Sequence, residues 1–166
     1  VQQIGRLLSA GQTAKCALTD RSLTFTMPGI TLTTRLIEGQ FPDYRRVIPT
    51  EHPMKLSLAR SGLIEALRRV AVLAESPQRG IQLSLGAGSL RLSSTNPELG
   101  EAEESLPVEY GGEALAIGMN AGYLLDALEP LEADVVVMEV KDPLSPIRLH
   151  PEKDTDTLSV IMPLRL

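Results

Sequence analysis

The sequence predicts an α+β protein built from repeated units of one helix and several antiparallel strands. Three observations carry that class. One helix-like pattern and three strand-like runs recur about every 60 residues, a spacing typical of repeated structural units. Turn residues punctuate the strand-like runs in each unit. Finally, the chain is 43% hydrophobic but only 3% aromatic, so aliphatic side chains must fill its core.

Each element follows from local pattern. A first helix is predicted over 1–9, with Ile4, Leu7 and Leu8 on one face. Strands follow at 14–19, 23–27 and 30–37, broken by Asp20-Arg21 and Pro28-Gly29. A second helix over 60–74 places Leu63, Ile64, Leu67, Val70 and Ala71 at helical spacing. Strands at 81–85, 90–94 and 102–108 come next, with Gly86-Ala87-Gly88 as the first turn. A third helix over 120–129 carries Leu124, Leu125 and Leu128. It leads to strands at 134–140, 146–149 and 157–162, with a turn at Asp142-Pro143. An added strand precedes the second helix (54–58) and the third (114–118). Two such units make a two-layer domain, with antiparallel sheets on one side and both helices on the other. The first unit lacks a companion, and the chain opens at Val1 inside a helical pattern without an initiator Met. It is therefore expected to be a fragment.

Composition narrows the function classes. The single cysteine, Cys16, has no internal disulfide partner, which fits a reducing compartment. No apolar run reaches the roughly 18 residues of a membrane-spanning helix. The net charge of −5 is unevenly spread: residues 1–97 hold 12 Lys/Arg against 6 Asp/Glu, and residues 98–156 hold 3 against 15. Such a chain does not simply coat nucleic acid, yet it can turn a basic surface one way and an acidic one the other.

Between the first unit and the rest lies Phe41-Pro42-Asp43-Tyr44-Arg45-Arg46-Val47-Ile48-Pro49. Two prolines, two aromatics and two arginines in nine residues describe a stiff joint, unlike a Gly/Ser linker. The segment resembles the joint between the second and third domains of the bacterial DNA polymerase III beta subunit, the sliding clamp. The tail Val160-Ile161-Met162-Pro163-Leu164-Arg165-Leu166 resembles that family's terminal strand. Asn96-Pro97-Glu98 with Glu101-Ala102-Glu103-Glu104, and Ile117-Gly118-Met119-Asn120-Ala121-Gly122-Tyr123, fit at matching spacing. The resemblance implies the DNA clamp fold, with sheets outside and helices inside a ring. It divides the chain into the last part of a middle domain (1–38), a rigid connector (39–50) and a final domain (51–166).

Three sites are implied by the resemblance. A groove for short apolar peptide motifs would be walled by Pro42, Arg46, Val47, Asn120, Tyr123, Val160, Met162, Pro163 and Leu164, with Arg165 at its rim. Gln78 and Pro146 depart from the family's pattern at that rim, where an apolar and a small polar residue are expected. Arg6, Arg68 and Arg69, with Arg60 near the start of the second helix, would face duplex DNA and meet phosphates without reading bases. Val72 and Leu73 would form the apolar centre, and Glu98, Glu101, Glu103 and Glu104 the acidic half, of a head-to-tail contact with a neighbouring subunit. From the residues alone, Pro163 ends strand pairing beside an open surface, and Ile161 alternates inward, away from Val160 and Met162.

Signals of catalysis are poor. His52 and His150 are far apart, Cys16 lacks metal-ligand spacing, and neither a phosphate loop nor a nucleophile elbow is present. The expected role is a non-catalytic processivity factor without cofactor or metal. Its partners would be encircled double-stranded DNA, and the DNA polymerase III catalytic subunit and clamp loader, engaged through short linear motifs. The full-length protein would be a homodimer in the bacterial cytoplasm at the nucleoid, with no membrane. Two alternatives stay open at this stage: a free-standing peptide-binding β module, and a metal-dependent nuclease using Glu101, Glu103 and Glu104.

Overall fold

The computed structural model describes residues 2–7, 13–39, 43–46, 48, 53–74, 80–154 and 156–165. The chain packs as two compact units, Val1–Pro42 and Asp43–Leu166. The first holds α1 (Gln2–Leu7) and a three-stranded meander of β1 (Lys15–Leu18), β2 (Ser22–Met27) and β3 (Ile30–Arg35). Thr24 pairs with Thr33 across β2 and β3, and their hydroxyls lie 3.0 Å apart. Met27 is its buried strand residue, while Leu18 and Ile30 remain exposed.

The second unit contains two repeats. The first comprises β4 (Met54–Ala59), α2 (Arg60–Ala71), β5 (Gly80–Gly86), β6 (Ser89–Asn96) and β7 (Gly100–Pro107). The second comprises β8 (Leu115–Asn120), α3 (Ala121–Leu128), β9 (Val135–Val140), β10 (Ile147–Pro151) and β11 (Ser159–Ile161). All pairings are antiparallel, in the orders β7-β6-β5-β8 and β11-β10-β9-β4. Each sheet thus takes three strands from one repeat and the leading strand of the other. Neither repeat can complete its sheet alone, so the two form one cooperative core.

That core is aliphatic, as the composition requires. Register places Leu56 beside Met138, and Leu83 between Leu92 and Ile117. These rows pack with Leu63, Leu67, Leu124 and Leu128 of the helices in one buried cluster. Strict alternation on β5 and β6 leaves Gln82 and Arg91 outward and Leu83 and Leu92 inward. The β5–β6 hairpin turns through Ala87-Gly88, where Gly88 has φ of 74°, a conformation that disfavours a side chain.

Helix limits are tighter than the apolar periodicity suggests. The second helix ends at Ala71, before the predicted residue 74. Val72, Leu73 and Ala74 continue with i→i−3 bonds to Arg69, Val70 and Ala71, so the last turn narrows. The start of α2 has no side-chain cap, and Arg60 N donates instead to Asp134 O at 2.8 Å. At α3 the Asn120 side chain accepts from Tyr123 N at 3.1 Å, an ordinary N-cap.

Candidate functional site

The C-terminal tail builds an open, largely apolar surface on the second unit. Strand β11 stops at buried Ile161, as alternation predicted, and Met162 is exposed. Pro163 has no N–H to extend a ladder. Beyond it, Leu164 N donates to Gly118 O at 2.7 Å. The tail therefore leaves one sheet and bridges to the free edge of β8 in the other. Two concavities flank it. One, about 490 Å³, is lined by Tyr123, Asp126, Ala127, Val160 and Met162 among others. The other, about 440 Å³, is lined by Gln82, Ile117, Leu144, Leu164 and Arg165 among others.

Local chemistry positions these side chains. Asn120 is buried and caps α3, so it orients the helix that carries exposed Tyr123. Leu144, which sequence reasoning missed, is exposed at the rim of the second concavity. Asp142 holds it there, because its Oδ1 accepts from Leu144 N at 2.9 Å and Ser145 N at 2.7 Å. The Ser145 hydroxyl donates to Oδ2 at 2.6 Å. That hydroxyl, then the two amides, keeps the Asp142 carboxyl below its usual range. A lone Leu after Asp-Pro is a weak sequence signal, since turns often expose single apolar residues. Pro146 is half-buried. Pro42, Val47 and Gln78 lie outside the described residues, as does the side chain of Arg46.

A buried carboxylate, Glu139, gathers basic partners on the sheet that carries β11. Lys55, Glu139, Arg148 and Val160 are cross-strand neighbours on β4, β9, β10 and β11. Glu139 is buried, 2.8 Å from Lys55 Nζ, 3.0 Å from Arg148 Nη1 and 3.8 Å from His150 Nε2. Burial works to raise the Glu139 pKa. The Lys55 hydrogen bond and the charges of Arg148, Lys55 and His150 outweigh it and hold the carboxyl below its ordinary value. The row aligns the strands that place Val160.

A second candidate surface lies at the far end of α2. Val72 is exposed and Leu73 half-buried, beside the β6–β7 turn with exposed Glu98 and Leu99. Leu99 was also missed by the sequence reading, which followed the acidic residues around it. Glu101 and Glu103 point outward from β7 and Glu104 toward α2. The carboxylates of this surface are partly compensated from within. Arg69 grips Glu104 in a fork, Nε to Oε1 at 2.6 Å and Nη2 to Oε2 at 3.2 Å. The Arg69 hydrogen bond keeps Glu104 below its ordinary pKa. Arg91 lies 3.4 Å from Glu103.

The basic residues of α2 are similarly engaged. Arg68 Nη2 donates to Glu129, which caps the C-terminus of α3, at 2.9 Å, and Arg69 also lies 3.6 Å from Glu65. Arg6 is exposed on the six-residue α1 of the other unit. Arg60, expected beside them as a phosphate contact, is committed internally. Its Nε donates to Ala133 O at 2.8 Å and its Nη1 to Leu128 O at 3.3 Å, joining the end of α3 and the connection to β9. Among the described residues no group of three or more His, Cys, Asp or Glu is arranged to hold a metal ion.

A paired-repeat α+β unit with an open apolar tail defines a class, the sliding-clamp domains. Residues 45–165 match the family model of the DNA polymerase III beta subunit, C-terminal domain. The beta sliding clamp of Pseudomonas putida is 40% identical over 136 residues, covering 82% of this chain and 37% of that protein. The beta sliding clamp of Escherichia coli K12 is 37% identical over 134 residues, 81% of this chain and 37% of its own length. Among solved structures, a sliding clamp from Pseudomonas aeruginosa superposes with a TM-score of 0.84 at 36% identity, covering 99% of this chain and 45% of that one. The Bartonella birtlesii clamp bound to griselimycin superposes with a TM-score of 0.86 at 32% identity, with coverage of 99% and 45%. The chain belongs to the bacterial DNA polymerase III beta subunit family and spans a little over a third of the length of these curated relatives.

Proposed function

We propose that this chain is the peptide-binding and ring-closing part of a DNA replication processivity factor. In the whole protein, a homodimeric ring encircles duplex DNA and tethers DNA polymerase III by topology, without catalysis of its own. The chain divides into the C-terminal part of a middle domain (1–38), a rigid connector (39–50) and a final domain (51–166). The observation that carries the proposal is the pair of concavities flanking the tail, with Tyr123, Leu144 and Met162 exposed around them. A surface of that size and chemistry suits short segments carrying Leu or Phe, such as a polymerase or clamp loader can present. Pro42, Arg46 and Val47 of the connector are assigned to the same peptide-binding role. Clamps from Pseudomonas aeruginosa and Bartonella birtlesii have been solved bound to griselimycin, which supports a ligand-binding role for this fold.

Arg6, Arg68 and Arg69 are assigned to the DNA side. The carboxylate pairing of Arg68 and Arg69 supports weak, mobile contacts of the kind a sliding ring needs. Val72, Leu73, Glu98, Glu101 and Glu103 are assigned to the subunit contact, with Glu104 bracing β7 against α2 from within. The bacterial cytoplasm is the setting of this role.

The test is titration of the chain with a fluorescent peptide carrying adjacent Leu and Phe, and with griselimycin. Met162→Asp removes an apolar contact worth about 1.5–3 kcal/mol and should weaken peptide binding at least tenfold. Deleting residues 162–166 should abolish binding and lower the thermal midpoint by only a few degrees, because Ile161 stays to complete the core. Equal binding by parent and truncated chain would show that the groove is misassigned.

A further inference from the structure

We propose that Asn96 is a positioning residue for the subunit contact, joining the end of α2 to the β6–β7 turn through its carboxamide. The inference rests on the subunit-contact reading above. Asn96 Oδ1 accepts from Glu98 N at 2.9 Å and from Leu99 N at 3.1 Å. Its Nδ2 donates to Leu73 O at 3.5 Å. The one side chain therefore reaches both halves of the surface: Val72 and Leu73 on the helix, Glu98 and Leu99 on the turn.

The local backbone explains why the joint is needed. Asn96 pairs with Gly100, leaving Pro97, Glu98 and Leu99 to make the turn. Pro97 has no N–H, so the amides of Glu98 and Leu99 are the turn's own donors, and both go to Asn96. Gly100 returns the chain to β7 with φ of 104°, where other residues would be strained. On the helix side, the carbonyl of Leu73 follows the tightened last turn of α2, where intrahelical donors have run out. A second tie, Arg69 to Glu104, holds β7 to the same helix.

What is held in place points to recognition. Val72 is 69% exposed and Leu99 56% exposed, so their order adds nothing to the core of this unit. Fixing two apolar side chains in solvent is useful when a partner covers them, because the ordering entropy is then lost before association. The residue type is also specific. A carboxamide offers an acceptor at one end and a donor at the other. An aspartate would keep both turn amides but set a negative charge against the Leu73 carbonyl.

In a head-to-tail ring the final domain of one subunit meets the first domain of the next, so the experiment measures association of this chain with the N-terminal domain of the Pseudomonas aeruginosa sliding clamp by calorimetry. Parent, Asn96→Ala, Asn96→Asp, Leu99→Ala and the Asn96→Asp/Leu99→Ala double variant are compared. Asn96→Ala and Asn96→Asp should each weaken association about tenfold, the scale of a good interface contact. Asn96→Asp keeps the turn's two amide partners, so its thermal midpoint should stay within a few degrees of the parent. In the Leu99→Ala background the Asn96→Asp effect should shrink to about twofold, the non-additivity of a residue acting through its neighbour. Binding by Asn96→Asp equal to the parent, or an undiminished effect in the double variant, would overturn the role of Asn96. Absence of binding by the parent chain would overturn the subunit-contact reading itself, and this proposal with it.

Discussion

Replacing Glu139 with Gln should destabilise the second unit measurably at neutral pH, and the loss should disappear in acid. The carboxylate is 4% exposed, and its partners differ in how much solvent screens them. Lys55 is 65% exposed, so its pairing contributes little net energy. Arg148 is 27% exposed and its Nη1 lies 3.0 Å from the carboxylate, so this better shielded ion pair accounts for most of the loss. Gln keeps one acceptor but offers Arg148 no charge, so a loss of about 2 kcal/mol is expected, below the roughly 3–5 kcal/mol of a fully buried pair that is broken. For a unit of this size that is a fall of roughly 8 °C in Tm. The folded pKa of Glu139 is depressed relative to the unfolded chain, where a Glu titrates near 4.3. Its stabilisation is therefore complete above that unfolded value and is lost as pH falls through the folded pKa. Calorimetry of parent and Glu139→Gln, from pH 7 down to the acid limit of folding, should show the two midpoints converging. A neutral-pH difference below about 2 °C, or a gap that persists in acid, would refute the reasoning. Peptide affinity offers a second readout, since Arg148 is the cross-strand neighbour of Val160.

Two further outcomes are expected. Duplex DNA should bind this chain weakly, and with about three arginines engaged its affinity should fall roughly 40-fold between 50 and 200 mM salt; tight, sequence-dependent binding in anisotropy titrations at the higher salt would contradict a sliding role. Arg60→Ala should cost about 2 kcal/mol in urea unfolding, because it takes the guanidinium from the Ala133 carbonyl and one of two donors from the Leu128 carbonyl, which keeps Leu131 N, and should leave DNA affinity unchanged. A variant with parent-like stability and weakened DNA binding would place Arg60 on the DNA side instead.

The elements were legible because their signals are local. Apolar spacing in 60–71 and 121–128, and alternation in 81–85 and 90–94, announce helix and strand within a few residues. Turn chemistry at Asp142 was equally plain, since an Asx turn needs its own side chain and the next two amides. The tail was legible for a similar reason: Pro163 must interrupt pairing wherever the strand lies. The end of α2 was less so, because apolar residues at 72–74 continue the pattern while the backbone tightens beneath them.

Pairing between distant side chains was the part that sequence reading could not reach. Arg60 looked like a free cation at a helix start, but Ala133 and Leu128 lie some seventy positions away along the chain. Arg69 and Glu104 looked like members of two different surfaces and are one another's partner. Leu99 and Leu144 looked like incidental turn residues until the fold set each beside a candidate surface.

By itself, the sequence determined the α+β class, the repeat and the family, because period, turn residues and tail motif act over a few neighbouring residues. Tertiary structure alone decided how the repeats exchange leading strands, which charges neutralise one another, and which apolar side chains remain in solvent. The physical reason is range. Backbone propensity and alternation are set within a turn or a strand, whereas the state of a charge or an exposed Leu depends on groups that only folding brings together.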